Sequence, residues 1–174
     1  MTTRPQRRPI PCDARTTELV WRHGADILTS AGMEVERRCL QHGSTSVYAH
    51  SLAVTCLCVS MARALRLPVH ERALVRGALL HDYFLYDWHE RDASHRLHGF
   101  WHPRRACANA MRDFGLEPLA KDMVLRHMFP LTPLPPAHRE GWLLCVADKC
   151  VAMRETLAGL AGGRRPTRDG SARA

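Results

Sequence analysis

Apolar positions along this chain recur at intervals of three and four residues, and no run alternates with the period of two that a strand needs. Residues 1–14 are rich in proline and arginine and read as a disordered tail. Leu19, Val20, His23, Ile27 and Leu28 then predict a first helix over 16–32, capped by Thr16 or Thr17 and stopped by Gly32. Residues 33–45 are mixed, and the polar stretch 41–46 reads as a loop followed by a cap. A second helix is expected over 47–67, with His50, Val54, Leu57, Met61, Ala64 and Leu65 on its inner face and Pro68 as its stop. A third, over 70–84, stacks Leu74, Ala78 and His81. Periodicity is weak over 85–101, a long connection crowded with aromatic, histidine and charged residues.

His102-Pro103 is expected to open a fourth helix, since proline suits a first helical turn, with Gly115 as its stop. A fifth, over 118–128, carries Leu119, Met123 and His127 on one stripe and ends at Pro130. Residues 131–136 form an extended proline-rich connector, and a last helix spans 137–160. The expected fold is all-α: one bundle of about six helices over 15–161, followed by a basic tail over 162–174.

A chain of 174 residues is long enough to bury one substantial core. Its net charge of +8 is less telling than its placement. Arg4, Arg7 and Arg8 against Asp13 give the first tail +2; Arg164, Arg165, Arg168 and Arg173 against Asp169 give the last one +3. The body keeps +3 of the 8, so a nucleic-acid face is not expected. No apolar stretch reaches the 18 residues of a membrane span, and no membrane partner is expected. Seven cysteines without a C-x-x-C pair argue against both a disulfide framework and a structural zinc site, and for a reducing, cytoplasmic setting.

Three polar features interrupt the apolar helices: His50, the pair His81-Asp82 after Ala-Leu-Leu, and Asp148 within Val-Ala-Asp-Lys. Burying such groups without partners costs several kcal/mol each or forces them neutral. Two imidazoles and two carboxylates projecting into a shared bundle core suit a divalent ion.

In this order the residues resemble the H…HD…D signature of the HD-domain superfamily of metal-dependent phosphohydrolases, with 31 residues from His50 to His81 and 66 from Asp82 to Asp148. His102 and His127 lie between the pair and Asp148, so the chain is similar to the dinuclear H…HD…H…H…D subset. It looks most like the small bacterial HD hydrolases that split symmetrical dinucleoside tetraphosphates. The resemblance covers residues 46–158 and departs at 85–101, where no counterpart aligns.

The resemblance implies that His50, His81, Asp82 and Asp148 bind one metal, while Asp82 bridges to a second held by His102 and His127. The metal site residues would thus be His50, His81, Asp82, His102, His127 and Asp148, with His81 and Asp82 central to catalysis. The cofactors would be two divalent ions, iron, manganese or another transition metal. Such a pair would supply an activated hydroxide for attack on phosphorus. The partner would be a phosphorylated small molecule such as a nucleotide; the oligomeric state is left open. Arg104, Arg105, Arg126 and Lys149 are the candidate phosphate contacts, the first two because a helix N-terminal turn beside His102 favours anions. His89, His95 and His98 are weaker candidates for a proton donor, and Trp88, Phe100 and Trp101 for base stacking. Two other activities fit the same residues: a mixed-valent di-iron oxygenase, and a non-catalytic signalling module.

Overall fold

The structure, a computed structural model, describes residues 12–42, 45–88 and 98–162. It contains α1 (Ala14–Leu28), α2 (Ala31–Glu36), β1 (Leu40–His42), β2 (Thr45–Ser46), α3 (Val47–Ala64), α4 (Glu71–Leu80), α5 (His98–Phe114), α6 (Pro118–Arg126) and α7 (Arg139–Gly162). β1 and β2 form a small antiparallel pair, Leu40 opposite Ser46 and His42 opposite Thr45. The architecture is the expected all-α bundle, with seven helices among the described residues rather than six.

α4 is the central helix. Every residue from Ala73 to Leu80 is buried, because α1, α3 and α6 cover it from different sides. The one charge in that run, Arg76, reaches out between helices to bond Asp26 at 2.9 Å and the His23 carbonyl at 3.2 Å. His70 caps its start by accepting from the Ala73 N–H, and Glu140 of α7 accepts from the His70 N–H. The main core joins Val20, Ile27, Val54, Cys58, Leu74, Leu79, Met123 and Leu144 across five helices. A smaller cluster of Cys39, Val47 and Phe84, with Tyr86 and Trp88 against it, fastens the β pair to the turn after α4.

Several boundaries differ from those expected. Asp13, not Thr16 or Thr17, caps α1: its carboxylate accepts from the Thr16 N–H and also binds Arg63 of α3. Cys12 is joined to Cys56 by a disulfide, with Cα atoms 5.8 Å apart. This corrects the expectation of no such bond; a separation of 44 residues carries no spacing signal. Residues 12–14 therefore belong to the body, whereas the tails 1–11 and 163–174 lie outside the described residues. Gly32 does not stop α1, which ends at Leu28; Ser30 caps the separate helix α2. Glycine stands at 32 because the Tyr83 ring presses on its backbone, in a space that a side chain would fill. Gly115, with φ of +60°, ends α5 as expected.

The inner face of α3 is also redrawn. His50 and Val54 are buried, but the stripe continues through Cys58, Val59 and Ala62, leaving Leu65 exposed. α5 begins at His98, so Pro103 is its sixth residue, and Arg104 and Arg105 lie beyond the first turn. A preference of proline for the first turn is not a boundary when earlier residues can extend the helix. Most of the presumed connection, residues 89–97, lies outside the described residues.

Gly32→Ala is expected to destabilise the protein by about 1–3 kcal/mol through overpacking against Tyr83. Gly159→Ala, in α7 with open space around it, is expected to stabilise it by about 0.5–1 kcal/mol. Denaturant unfolding of both variants checks the contrast in sign.

Candidate metal centre

Six polar side chains from five helices, or from the turns that close them, meet within the bundle. His50 stands in the first turn of α3, where Ser46 caps the helix by accepting from the Ala49 N–H. His81 is the C-cap of α4, and Asp82 follows it into a turn. His102 is in α5, His127 is the C-cap of α6, and Asp148 is in α7. All six are buried.

Asp82 lies at the centre. Its Oδ2 is 3.3 Å from His81 Nε2 and 3.8 Å from His50 Nε2. Its Oδ1 is 3.1 Å from His102 Nε2 and 3.5 Å from His127 Nε2. Asp148 Oδ1 lies 3.1 Å from His50 Nε2 and 3.7 Å from His81 Nε2. One carboxylate thus turns a different oxygen to each pair of imidazoles, and a second carboxylate closes the His50–His81 side.

The far edge of each ring explains its orientation. His81 Nδ1 donates to the Ala78 carbonyl at 2.8 Å, and His127 Nδ1 donates to the Val124 carbonyl at 2.7 Å. Both carbonyls belong to the last turn of a helix, where no helical N–H reaches them. These bonds turn the two Nε2 atoms inward as lone-pair donors, the form in which imidazole binds a metal. His127 Nε2 then accepts from His102 Nε2 at 2.9 Å.

Burial opposes every charge here, yet the charges sustain one another. Burial would lower His50, but its bonds to Asp148 and Glu155 hold it up at about 10. His81 is likewise raised against the pull of burial by Asp82 and Asp148. Burial would raise Asp82, but His81, His102 and His127 hold it well below the ordinary carboxylate range. Asp148 is lowered against burial by its bond to His50 and by the neighbouring His81. Burial dominates at His127, whose pKa falls.

The donor set fits a metal. His50, His81 and Asp148 bring ligand atoms within 4.8 Å of one another, and so do His81, Asp82 and His127. His81 Nε2 and Asp82 Oδ1 are buried without a hydrogen-bond partner. Each such orphan costs about 1–3 kcal/mol, which bound cations would offset.

Residues outside the sequence-derived set complete the surroundings. Gln41 Nε2 donates to Asp82 Oδ2 at 2.5 Å. Glu155 Oε2 accepts from His50 Nδ1 at 2.9 Å. Asn109 donates to the carbonyls of Tyr83 and Phe84, and Glu36 accepts from the Leu85 N–H at 2.8 Å. These clasp the turn after Asp82, in which Leu85 takes a φ of +63°. Glu155 follows Asp148 by seven residues, and Glu36 follows the buried Met33 by three; those spacings were the available signals. Gln41 offered none.

The four candidate phosphate contacts fare differently. Arg126 is committed to Asp122 at 2.8 Å and to the Pro135 carbonyl at 3.0 Å, which ties it to the connector. Lys149 Nζ donates to the His127 carbonyl at 3.1 Å, which Cys145 Sγ also reaches at 2.8 Å, so it anchors the end of α6. Arg104 and Arg105 are exposed, over the rings of Trp101 and Tyr86 respectively. They are not at a helix N-terminus, so the anion-site argument for them lapses. Trp88 packs in the smaller core beside Phe84, Phe100 and Trp101 are exposed on α5, and His89 and His95 lie outside the described residues.

Paired imidazoles around a shared, buried carboxylate inside a helical bundle define a class of metal-centred α proteins. The HD-domain family model matches residues 47–153, and the chain belongs to that superfamily of metal-dependent phosphohydrolases. No curated protein and no solved structure matches it.

Two measurements check the electrostatics. With His50 raised to about 10, metal uptake at pH 7 is expected to release at least one proton, and apparent affinity should rise from pH 6 to 9. Calorimetry in buffers of different ionisation heat reads the proton directly. Burial also pushes Glu36 up to about 8. Its neutral form is the one the fold favours, so this stability is present below pH 4.5 and lost as pH rises through 8. Glu36→Gln should remove that loss, on the order of 2–4 kcal/mol, in metal-free protein unfolded at pH 5 and at pH 9.

Proposed function

We propose that the chain is a phosphohydrolase acting on a phosphorylated small molecule, a nucleotide or dinucleotide among them, with two divalent ions at this centre. The observation that carries the reading is Asp82, whose two oxygens face two separate imidazole pairs. His50, His81 and Asp148 would hold one ion, His102 and His127 the other, and Asp82 would be shared. When bound, such a pair supplies an activated water near neutral pH and neutralises charge growing on phosphoryl oxygens.

The chain's own residues set the conditions for that chemistry. Nδ1 bonds to Ala78 and Val124 fix the direction of the His81 and His127 lone pairs before any ligand arrives. Gln41 holds Asp82 at one oxygen, so the carboxylate cannot rotate freely. Arg105 is the basic candidate best supported as a phosphate contact, since it lies over Tyr86, whose ring meets Phe84, which in turn meets the His102 ring.

Purification without chelator, elemental analysis and a phosphate-release screen over nucleotides, dinucleoside polyphosphates and sugar phosphates tests the proposal. Two transition-metal ions per chain and phosphate release are expected. Asp82→Ala should lose both while keeping its helical circular dichroism. His127→Ala should keep one ion and lose the other. Oxygen consumption with a mixed-valent iron signal and no phosphate release would overturn the hydrolase reading.

A further inference from the structure

His50 differs from the other histidines whose outer nitrogen is held. His81 and His127 are helix C-caps, and each finds a spare carbonyl three residues back in its own chain. His50 stands in the first turn of α3, where the carbonyls already accept from N–H groups four residues on. Its own helix therefore has no acceptor to offer. The acceptor comes from α7: Glu155 Oε2 lies 2.9 Å from His50 Nδ1, with the Glu155 side chain only 9% exposed. Asp148, two turns earlier on the same helix, meets the opposite edge of the ring at 3.1 Å. α7 thus grips the imidazole at both nitrogens.

The two grips have different consequences. Asp148 and His50 Nε2 face the centre and would both turn to an ion. Glu155 meets the far nitrogen and reaches the centre only through the ring. A carboxylate accepts and does not donate, so Glu155 requires a hydrogen on Nδ1, as Asp148 does on Nε2 until an ion replaces that proton; the ring's remaining hydrogen is then the one that Glu155 holds on Nδ1.

We propose that Glu155 is a positioning residue for the metal centre: by accepting from His50 Nδ1 it fixes the tautomer and angle of that imidazole and strengthens it as a ligand. This rests on the metal-centre reading of the cluster. It assigns to a side chain of α7 the task that helix-end carbonyls perform at His81 and His127.

The test uses the full chain and cobalt(II) alone, followed by its visible absorption, with Glu155→Gln and Glu155→Leu beside wild type. The glutamine keeps the volume and can still accept from Nδ1; the leucine cannot. Removing an outer-shell partner of this kind lowers metal affinity about 10–100-fold. Glu155→Leu should fall at the large end of that range and Glu155→Gln between it and wild type, with the loss confined to one of two binding steps. In zinc-loaded protein, the Nδ1–H proton of His50 should resonate further downfield and exchange more slowly with solvent in wild type, the mark of a hydrogen bond to a carboxylate, than in Glu155→Leu. Equal cobalt affinity in Glu155→Leu and wild type, or an unchanged His50 Nδ1–H signal, would overturn the role even if melting temperature fell, because that pattern belongs to a purely structural contact. Wild type that takes up no cobalt would instead overturn the metal-centre reading, and this inference with it.

Discussion

Asp82 is buried with one oxygen turned to His50 and His81 and the other to His102 and His127. Removing a carboxylate from water costs several kcal/mol even after relaxation, and the cost is bearable only among compensating partners. Those partners sit on four helices, so the relative positions of α3, α4, α5 and α6 are set by one charge as well as by apolar packing. Asp148 adds a second buried carboxylate from α7 and extends the requirement to a fifth helix. Burial of α4 on nearly every side makes this possible, because its C-terminal end is then brought into the middle of the bundle.

The chemistry of helix ends does much of the local work. A C-terminal turn exposes carbonyls without donors, and His81 and His127 use them to aim their rings. The turn after Asp82 keeps two backbone bonds, Tyr83 N–H to the Leu80 carbonyl at 3.2 Å and Phe84 N–H to the Asp82 carbonyl at 2.8 Å. Side chains hold the rest: Asn109 from α5, Glu36 from α2, and Asp113 through the Tyr83 hydroxyl. Two separate elements, α2 and α5, therefore fix the backbone beside the central carboxylate.

The six central residues were legible in the sequence because histidine and aspartate conflict with the apolar runs around them, and their order matches a family signature. The helices were legible for the same reason, since long apolar periods overrode local detail. Gln41, Glu155, Asn109 and Glu36 were not, because such residues are ordinary on a surface and only tertiary contact shows them buried or engaged. Gly32 misled because a glycine that admits a neighbouring ring looks, in sequence, like one that ends a helix. The start of α5 was missed because 98–101 has little periodicity and Pro103 suggested a boundary. The pairing of Cys12 with Cys56 was hidden by distance along the chain.

α7 carries Cys145 and Lys149 against the His127 carbonyl, and Asp148 and Glu155 against His50. One rigid rod thus indexes two opposite corners of the cluster. A single residue inserted or deleted between positions 145 and 155 would rotate its second half by about 100° and advance it about 1.5 Å relative to the first. The two corners could then no longer be satisfied together. Descendants of this sequence should therefore keep the phase of α7 unchanged, whatever substitutions its outer face accepts.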